Sequence, residues 1–125
     1  MNRYLLVMLG AAVGGLARYV VGSVLLARYS SRFPLGTVLV NVTGCFLMGM
    51  LMASFLRRGD PQPDLRVFLV TGILGGYTTF SSFAWESFEA MDKSRALIGL
   101  ANILFSVVLG MAAVWLGAFL VRSNR

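Results

Sequence analysis

Val67-Phe-Leu-Val-Thr-Gly-Ile-Leu-Gly-Gly-Tyr-Thr-Thr-Phe-Ser-Ser-Phe-Ala-Trp85 runs for 19 residues without a charge. A helix needs about 20 apolar residues, at about 1.5 Å each, to cross the roughly 30 Å of hydrocarbon in a bilayer. The length therefore suits a membrane span, but the interior does not suit a plain helix. Gly75 and Gly76 are followed by Tyr77, Thr78 and Thr79, and a helical glycine costs about 1 kcal/mol relative to alanine. Non-helical backbone inside a membrane is tolerated only where it is buried in protein or lines a cavity. The stretch thus predicts a third membrane helix, over about residues 66–88, broken near Gly75–Thr79. Such a break frees carbonyls that can meet a cation, and amides at the next half-helix that can meet an anion.

The rest of the 125-residue chain falls into place around it. Phe33 to Leu56 is uncharged for 24 residues and Ala96 to Val121 for 26. Tyr4 to Leu26 is also long enough, interrupted once by Arg18. The polar stretches between them are short, so a single four-helix membrane domain covers 1–125, with spans at about 4–26, 35–56, 66–88 and 96–121. Both termini are then expected on one side. With 58% hydrophobic and 13% charged residues, the chain exceeds the roughly 45–50% apolar content of soluble domains. The fold class is all-α and membrane-embedded. Arg18 interrupts the first apolar run and similar spans follow, so a cleaved leader is not expected.

Composition also narrows the function. There is no histidine, and Cys45 stands alone within a span, where a small packing role suits it. No nucleophile–base pair or metal cluster can be assembled, so no enzyme is expected. The net charge of +6 does not indicate nucleic acid, because the basic residues sit at span ends, where headgroups lie. Arg3, Arg57, Arg58, Arg66, Arg122 and Arg125 fall on the side of the termini; Arg28, Arg32, Lys93 and Arg95 fall on the other. Orientation follows such differences, and six against four is a weak instruction. It leaves open a single orientation, or insertion both ways with two copies meeting antiparallel as an inverted repeat. Four short helices make a thin bundle, so an oligomer is expected. Gly10 and Gly14 on the first helix, and Gly99, Asn102, Ser106, Gly110, Ala113 and Gly117 on the fourth, provide small or polar surfaces for close packing.

Polar residues inside spans are costly and point to cavities or partners. Arg18 can line a water-filled vestibule and gather anions, or reach back to headgroups. Asn41 needs partners for its amide, as helix glue or as an anion donor. Glu86 ends the third apolar run, as an interfacial carboxylate or a pathway residue. Phe80 and Phe83 lie three apart on one helical face. Aromatic rings have a positive edge, so a pair of edges can hold a small anion; packing is the alternative. Ser81 and Ser82 add hydroxyls beside them.

Gly14-Gly-Leu-Ala-Arg-Tyr19, Gly36-Thr-Val-Leu-Val-Asn-Val-Thr-Gly44 and Gly72-Ile-Leu-Gly-Gly-Tyr-Thr-Thr-Phe-Ser-Ser-Phe83 together resemble the Fluc (CrcB) fluoride-channel family over essentially the whole chain. The resemblance implies an antiparallel, dual-topology homodimer with two pores, in the inner membrane, exporting fluoride passively to keep cytoplasmic fluoride low. By position it implies that Phe80 and Phe83 flank the fluoride path, that Asn41 is a pore residue and that Arg18 lies in a vestibule. It further implies that Gly75 and Thr78 hold a structural sodium ion through backbone carbonyls, and that Ser81, Ser82, Glu86 and Ser106 lie along the ion's track. Gly110 departs from an expected hydroxyl residue and Asn102 from a common aromatic. Two rival classes are a small multidrug-type exporter, which would need an acidic residue in the first span where Arg18 stands instead, and a non-transporting assembly subunit.

Overall fold

A computed structural model describes residues 2–29, 31–59 and 62–123, and those residues are mostly helical, with no strand among them. Arg125, counted above with the terminal side, lies outside them. The helices are α1 (Arg3–Arg28), α2 (Leu35–Arg57), α3 (Pro63–Arg66), a π-helical segment (Val67–Leu74), α4 (Gly75–Tyr77), α5 (Phe80–Asp92) and α6 (Ala96–Ser123). Among the described residues four stretches are long and apolar enough to cross a membrane: Arg3–Arg28, Leu35–Arg57, Pro63–Asp92 and Ala96–Ser123. The chain is a multi-pass membrane protein.

Polar contacts at one end show which helix ends meet. Arg3 Nε lies 3.2 Å from Asp64 Oδ1, joining the starts of α1 and α3. Arg57 Nη1 donates to the Val121 carbonyl at 2.9 Å, joining the ends of α2 and α6. The bundle therefore runs up and down, with the first and last helices sharing an end. Asn2 starts α1 by accepting from the Tyr4 amide at 3.0 Å, and Gly59, at φ 69°, lets the chain turn away after α2 without Cβ strain.

Two helix pairs form the body, and glycine sets both. α1 lies on the π segment with Gly10 against Gly72; a methyl group added at Gly10 would sit 2.7 Å from the Phe68 carbonyl and 2.8 Å from Gly72 Cα. α2 lies on α6, where Gly49 faces the Val114 carbonyl and Gly117 faces the Phe46 carbonyl. Without hydrophobic drive between helices in lipid, such backbone approach supplies the packing. The described core is small in side-chain volume, with Val40 and Asn102 as its largest fully buried members. Large apolar side chains such as Leu97, Met111 and Trp115 point outward, as suits lipid.

The third span is interrupted within the expected Gly75–Thr79 stretch, at two of its residues. Its first half is π-helical for eight residues, and the Gly75 amide still reaches back to the Val70 carbonyl, five residues earlier. Gly75 itself remains helical, with φ −63° and ψ −36°. The interruption falls on the threonines: Thr78 has ψ 158°, and Thr79 has φ −148° and ψ 119°. β-branched residues favour extended backbone. Gly76 serves packing instead, since a Cβ there would lie 2.6 Å from the Ala11 carbonyl.

A candidate anion pathway at the helix break

A break within a span exposes backbone groups that must find partners. Thr78 Oγ1 donates back to the Leu74 carbonyl at 2.9 Å, alongside the Thr78 amide at 3.0 Å. Thr79 Oγ1 caps α5 by accepting from the Ser82 amide at 3.2 Å. The Asn41 side chain then clasps Thr79 at two points. Its Nδ2 donates to the Thr79 carbonyl at 2.9 Å, and its Oδ1 accepts from the Thr79 amide at 2.8 Å. One amide thus stands in for the neighbours that the unwound residue has lost. Arg18 Nη1 approaches the Thr78 carbonyl at 3.4 Å, placing positive charge at the carbonyl end of the first half-span, the favourable side of a helix dipole.

Beyond the clasp lies a cleft of about 290 Å³, lined by Asn41, Gly44, Thr79, Phe80, Phe83 and Ser106 among others. The two rings stand 5.5 Å apart between centroids and are tilted by 53°. Phe80 is 79% exposed in the single chain, so one copy walls only one side of the cleft. Of the residues singled out in the sequence, Asn41, Phe80, Phe83 and Ser106 share this cleft, with Thr78 at its rim. Ser81 and Ser82 do not line it; their hydroxyls gather on Thr79 Oγ1, at 3.4 and 3.1 Å. Glu86 stands apart, in a second cleft of about 450 Å³ at the end where α1 meets α2 and α5 meets α6, which also holds Thr37, Glu89, Arg32 and Arg95. There Thr37 Oγ1 donates to Glu86 Oε1 at 2.7 Å, while Glu86 Oε2 is buried without a hydrogen-bond partner.

Thr79 and Thr37 carry more of the site than their sequence reading suggested. A threonine just before an apolar helical run is an N-cap signal, which would have marked Thr79. Thr37 lies four residues before Asn41, hence on the same helix face. The partners of Tyr77 and Ser87 leave no such trace. The Tyr77 hydroxyl sits 2.9 Å from Thr43 Oγ1, and Ser87 Oγ accepts from Asn102 Nδ2 at 2.9 Å.

Spans, an interrupted third helix and a polar cleft at the interruption define a polytopic helical membrane protein of the broken-helix kind, in which ion sites form where a span unwinds. Residues 5–118 match the model of the CrcB-like, camphor-resistance (CrcB) family. The chain is 52% identical over 120 residues to a protein of Solibacter usitatus named fluoride-specific ion channel FluC, covering 96% of this chain and 98% of that one. Proteins of the same name from Rhizobium meliloti, 46% identical over 98% of each chain, and Coxiella burnetii, 42% identical over 94% of this chain and 96% of that one, are similar throughout. The chain belongs to the CrcB family.

Proposed function

We propose that the chain is a subunit of a fluoride-selective channel that lets fluoride leave the cell passively across the inner membrane. The observation that carries this reading is the Thr78–Thr79 interruption, which sets the amide end of α5 and the Phe80 and Phe83 rings over one cleft with Asn41 and Ser106. The names borne by close relatives support the same conclusion.

The active unit is an antiparallel homodimer with two pores. Phe80 and Gly75 are exposed in one chain, and a second copy would supply the missing wall. The six-to-four charge split imposes little bias on orientation. In the dimer, Arg18 raises the local anion concentration through its field. Fluoride then exchanges water for the remaining Asn41 N–H, the Ser106 hydroxyl and the ring edges, passing Glu86 with its Thr37 partner at the far end. Each stop must bind firmly enough to admit the ion and weakly enough to release it.

A sodium ion fits the carbonyl end of the break. The Thr79 amide is taken by Asn41, so the Gly75 carbonyl loses its helical donor. The Thr78 carbonyl has a second lone pair beside its contact with Arg18. Among the described residues no group of three or more His, Cys, Asp or Glu could hold a metal, so oxygens of the backbone are the available ligands, and they suit a hard cation. Gly75 and Thr78 of each subunit would hold it. When bound, it offsets the negative ends of the two first half-spans.

Fluoride-electrode efflux from liposomes holding the purified protein tests the reading. Fluoride is expected to leave when a potassium ionophore relieves the charge. Phe80→Ile and Phe83→Ile are each expected to abolish efflux and leave dimer elution unchanged. Normal efflux in both variants would remove the rings from the pathway.

A further inference from the structure

Asn102 is fully buried, at 0% exposure, in the second turn of α6. Its amide is engaged on both sides. Ser87 Oγ donates to the Phe83 carbonyl at 2.8 Å, so its hydroxyl has only acceptor capacity left, and Asn102 Nδ2 donates to it at 2.9 Å. That bond turns Asn102 Oδ1 toward Ser106, one turn further along the helix, and Ser106 Oγ donates to it at 3.3 Å. The protons of this relay all point one way, from Ser106 through Asn102 and Ser87 to the backbone of the ring-bearing half-helix.

A serine hydroxyl has one proton to give and two lone pairs. With the proton committed to Asn102, Ser106 turns lone pairs toward the cleft it shares with Phe80 and Phe83, the wrong polarity for an anion. We propose that Asn102 is a positioning residue that tunes fluoride binding by competing with the ion for the Ser106 proton. The inference rests on the channel reading above and adds to it a residue outside the pathway. The Ser106–Asn102 bond is long at 3.3 Å, so an arriving fluoride can turn the hydroxyl, and Asn102 reclaims the proton as the ion departs. Asn102 thereby weakens the stop at Ser106 and favours release, the balance that conduction requires.

The test measures initial efflux rate against fluoride concentration for the wild type, Asn102→Leu, Ser106→Ala and the double variant. Leucine fills the amide's volume without an acceptor, and leaves Ser87 with its bond to Phe83. It is expected to lower the half-saturating fluoride concentration roughly two- to tenfold, the worth of one neutral hydrogen bond. Adding Ser106→Ala to Asn102→Leu should reverse that gain, and by more than Ser106→Ala costs the wild type. Asn102→Met, whose flexible side chain adapts to the same space, replaces the leucine variant if that one does not assemble. An unchanged half-saturation, a gain that survives Ser106→Ala, or a fall in maximal flux alone would each overturn the proposal, the last by making Asn102 a packing residue. Failure of both variants to assemble would overturn it too. Wild-type liposomes that pass no fluoride would sink the channel reading itself, and this proposal with it.

Discussion

Replacing Asn41 with leucine strikes the break where it is held. Leucine keeps most of the volume and removes both bonds to Thr79, of 2.9 and 2.8 Å. Thr79 is 8% exposed, so its amide and carbonyl would be left without partners and largely without water. An unsatisfied buried backbone group costs about 1–3 kcal/mol, giving roughly 2–6 kcal/mol for the two. Cross-helix hydrogen bonds in membranes measure lower, averaging about 0.6 kcal/mol, because the unfolded state within the membrane also finds partners. Here that discount is available in one particular way. The third span can straighten, returning the Thr79 amide to the Gly75 carbonyl, but only by abandoning the break. The cost therefore falls on the broken conformation, and about 3 kcal/mol is expected within the range given by the two groups. The broken conformation should fall on the order of 100-fold relative to the straightened span in Asn41→Leu, since 1.4 kcal/mol is tenfold, and the distance between spin labels placed on either side of Thr78–Thr79 should shift accordingly. Fluoride efflux should be lost when the same variant is placed in liposomes. If the label distance and the unfolding stability are both unmoved, the clasp is not what holds the break.

Two further outcomes follow from the packing and from the proposed cation. Gly10→Ala puts a methyl group 2.7 to 2.9 Å from the backbone of Phe68, Gly72 and Ile73, where nothing flexible can yield. It is expected to destabilise the fold by about 1–3 kcal/mol, the usual cost of overpacking, and an unchanged unfolding midpoint in detergent would contradict the packing described. Replacing sodium with a bulky organic cation should lower the unfolding midpoint, since a ligand at 100 times its Kd contributes about 2.7 kcal/mol. Equal midpoints in the two salts would argue against a bound ion.

The four spans were legible because hydrophobic length is a physical requirement of the bilayer, and charges mark where it ends. The position of the break was legible for a different reason: Gly75 to Thr79 is a local conflict with helix propensity. Its cause was less legible. The glycines and threonines were read together as the break, yet only Thr78 and Thr79 leave the helix, while Gly76 stays helical and its missing Cβ serves the approach of α1. Propensity is a weak prior, and here close packing overrides it. The π-helical register over Val67–Leu74 has no mark in the residues; it depends on how the chain wraps past Gly10 and Gly14. Phe80, Phe83, Asn41 and Ser106 were singled out and do converge. Glu86 and the two adjacent serines were singled out as well, but the structure separates them from that cleft, since helical spacing gives the face of a residue and not the cavity it meets.

One interruption can serve ions of both signs because it is asymmetric. The strand-like pair Thr78–Thr79 follows a half-span that ends in carbonyls and precedes α5, which begins with amides. The partial charges at such ends amount to roughly half an elementary charge, negative on the first side and positive on the second. Arg18 already stands at the carbonyl end, and the proposed sodium would share that position. The rings of Phe80 and Phe83 stand at the amide end. Asn41 clasps the backbone of Thr79 between the two ends, beside the Thr78 hydroxyl bonded back to Leu74 and the Thr79 hydroxyl that caps α5. A continuous helix would cancel these charges internally along its length. The break keeps them apart, and the Asn41 clasp is one of the contacts that hold it open.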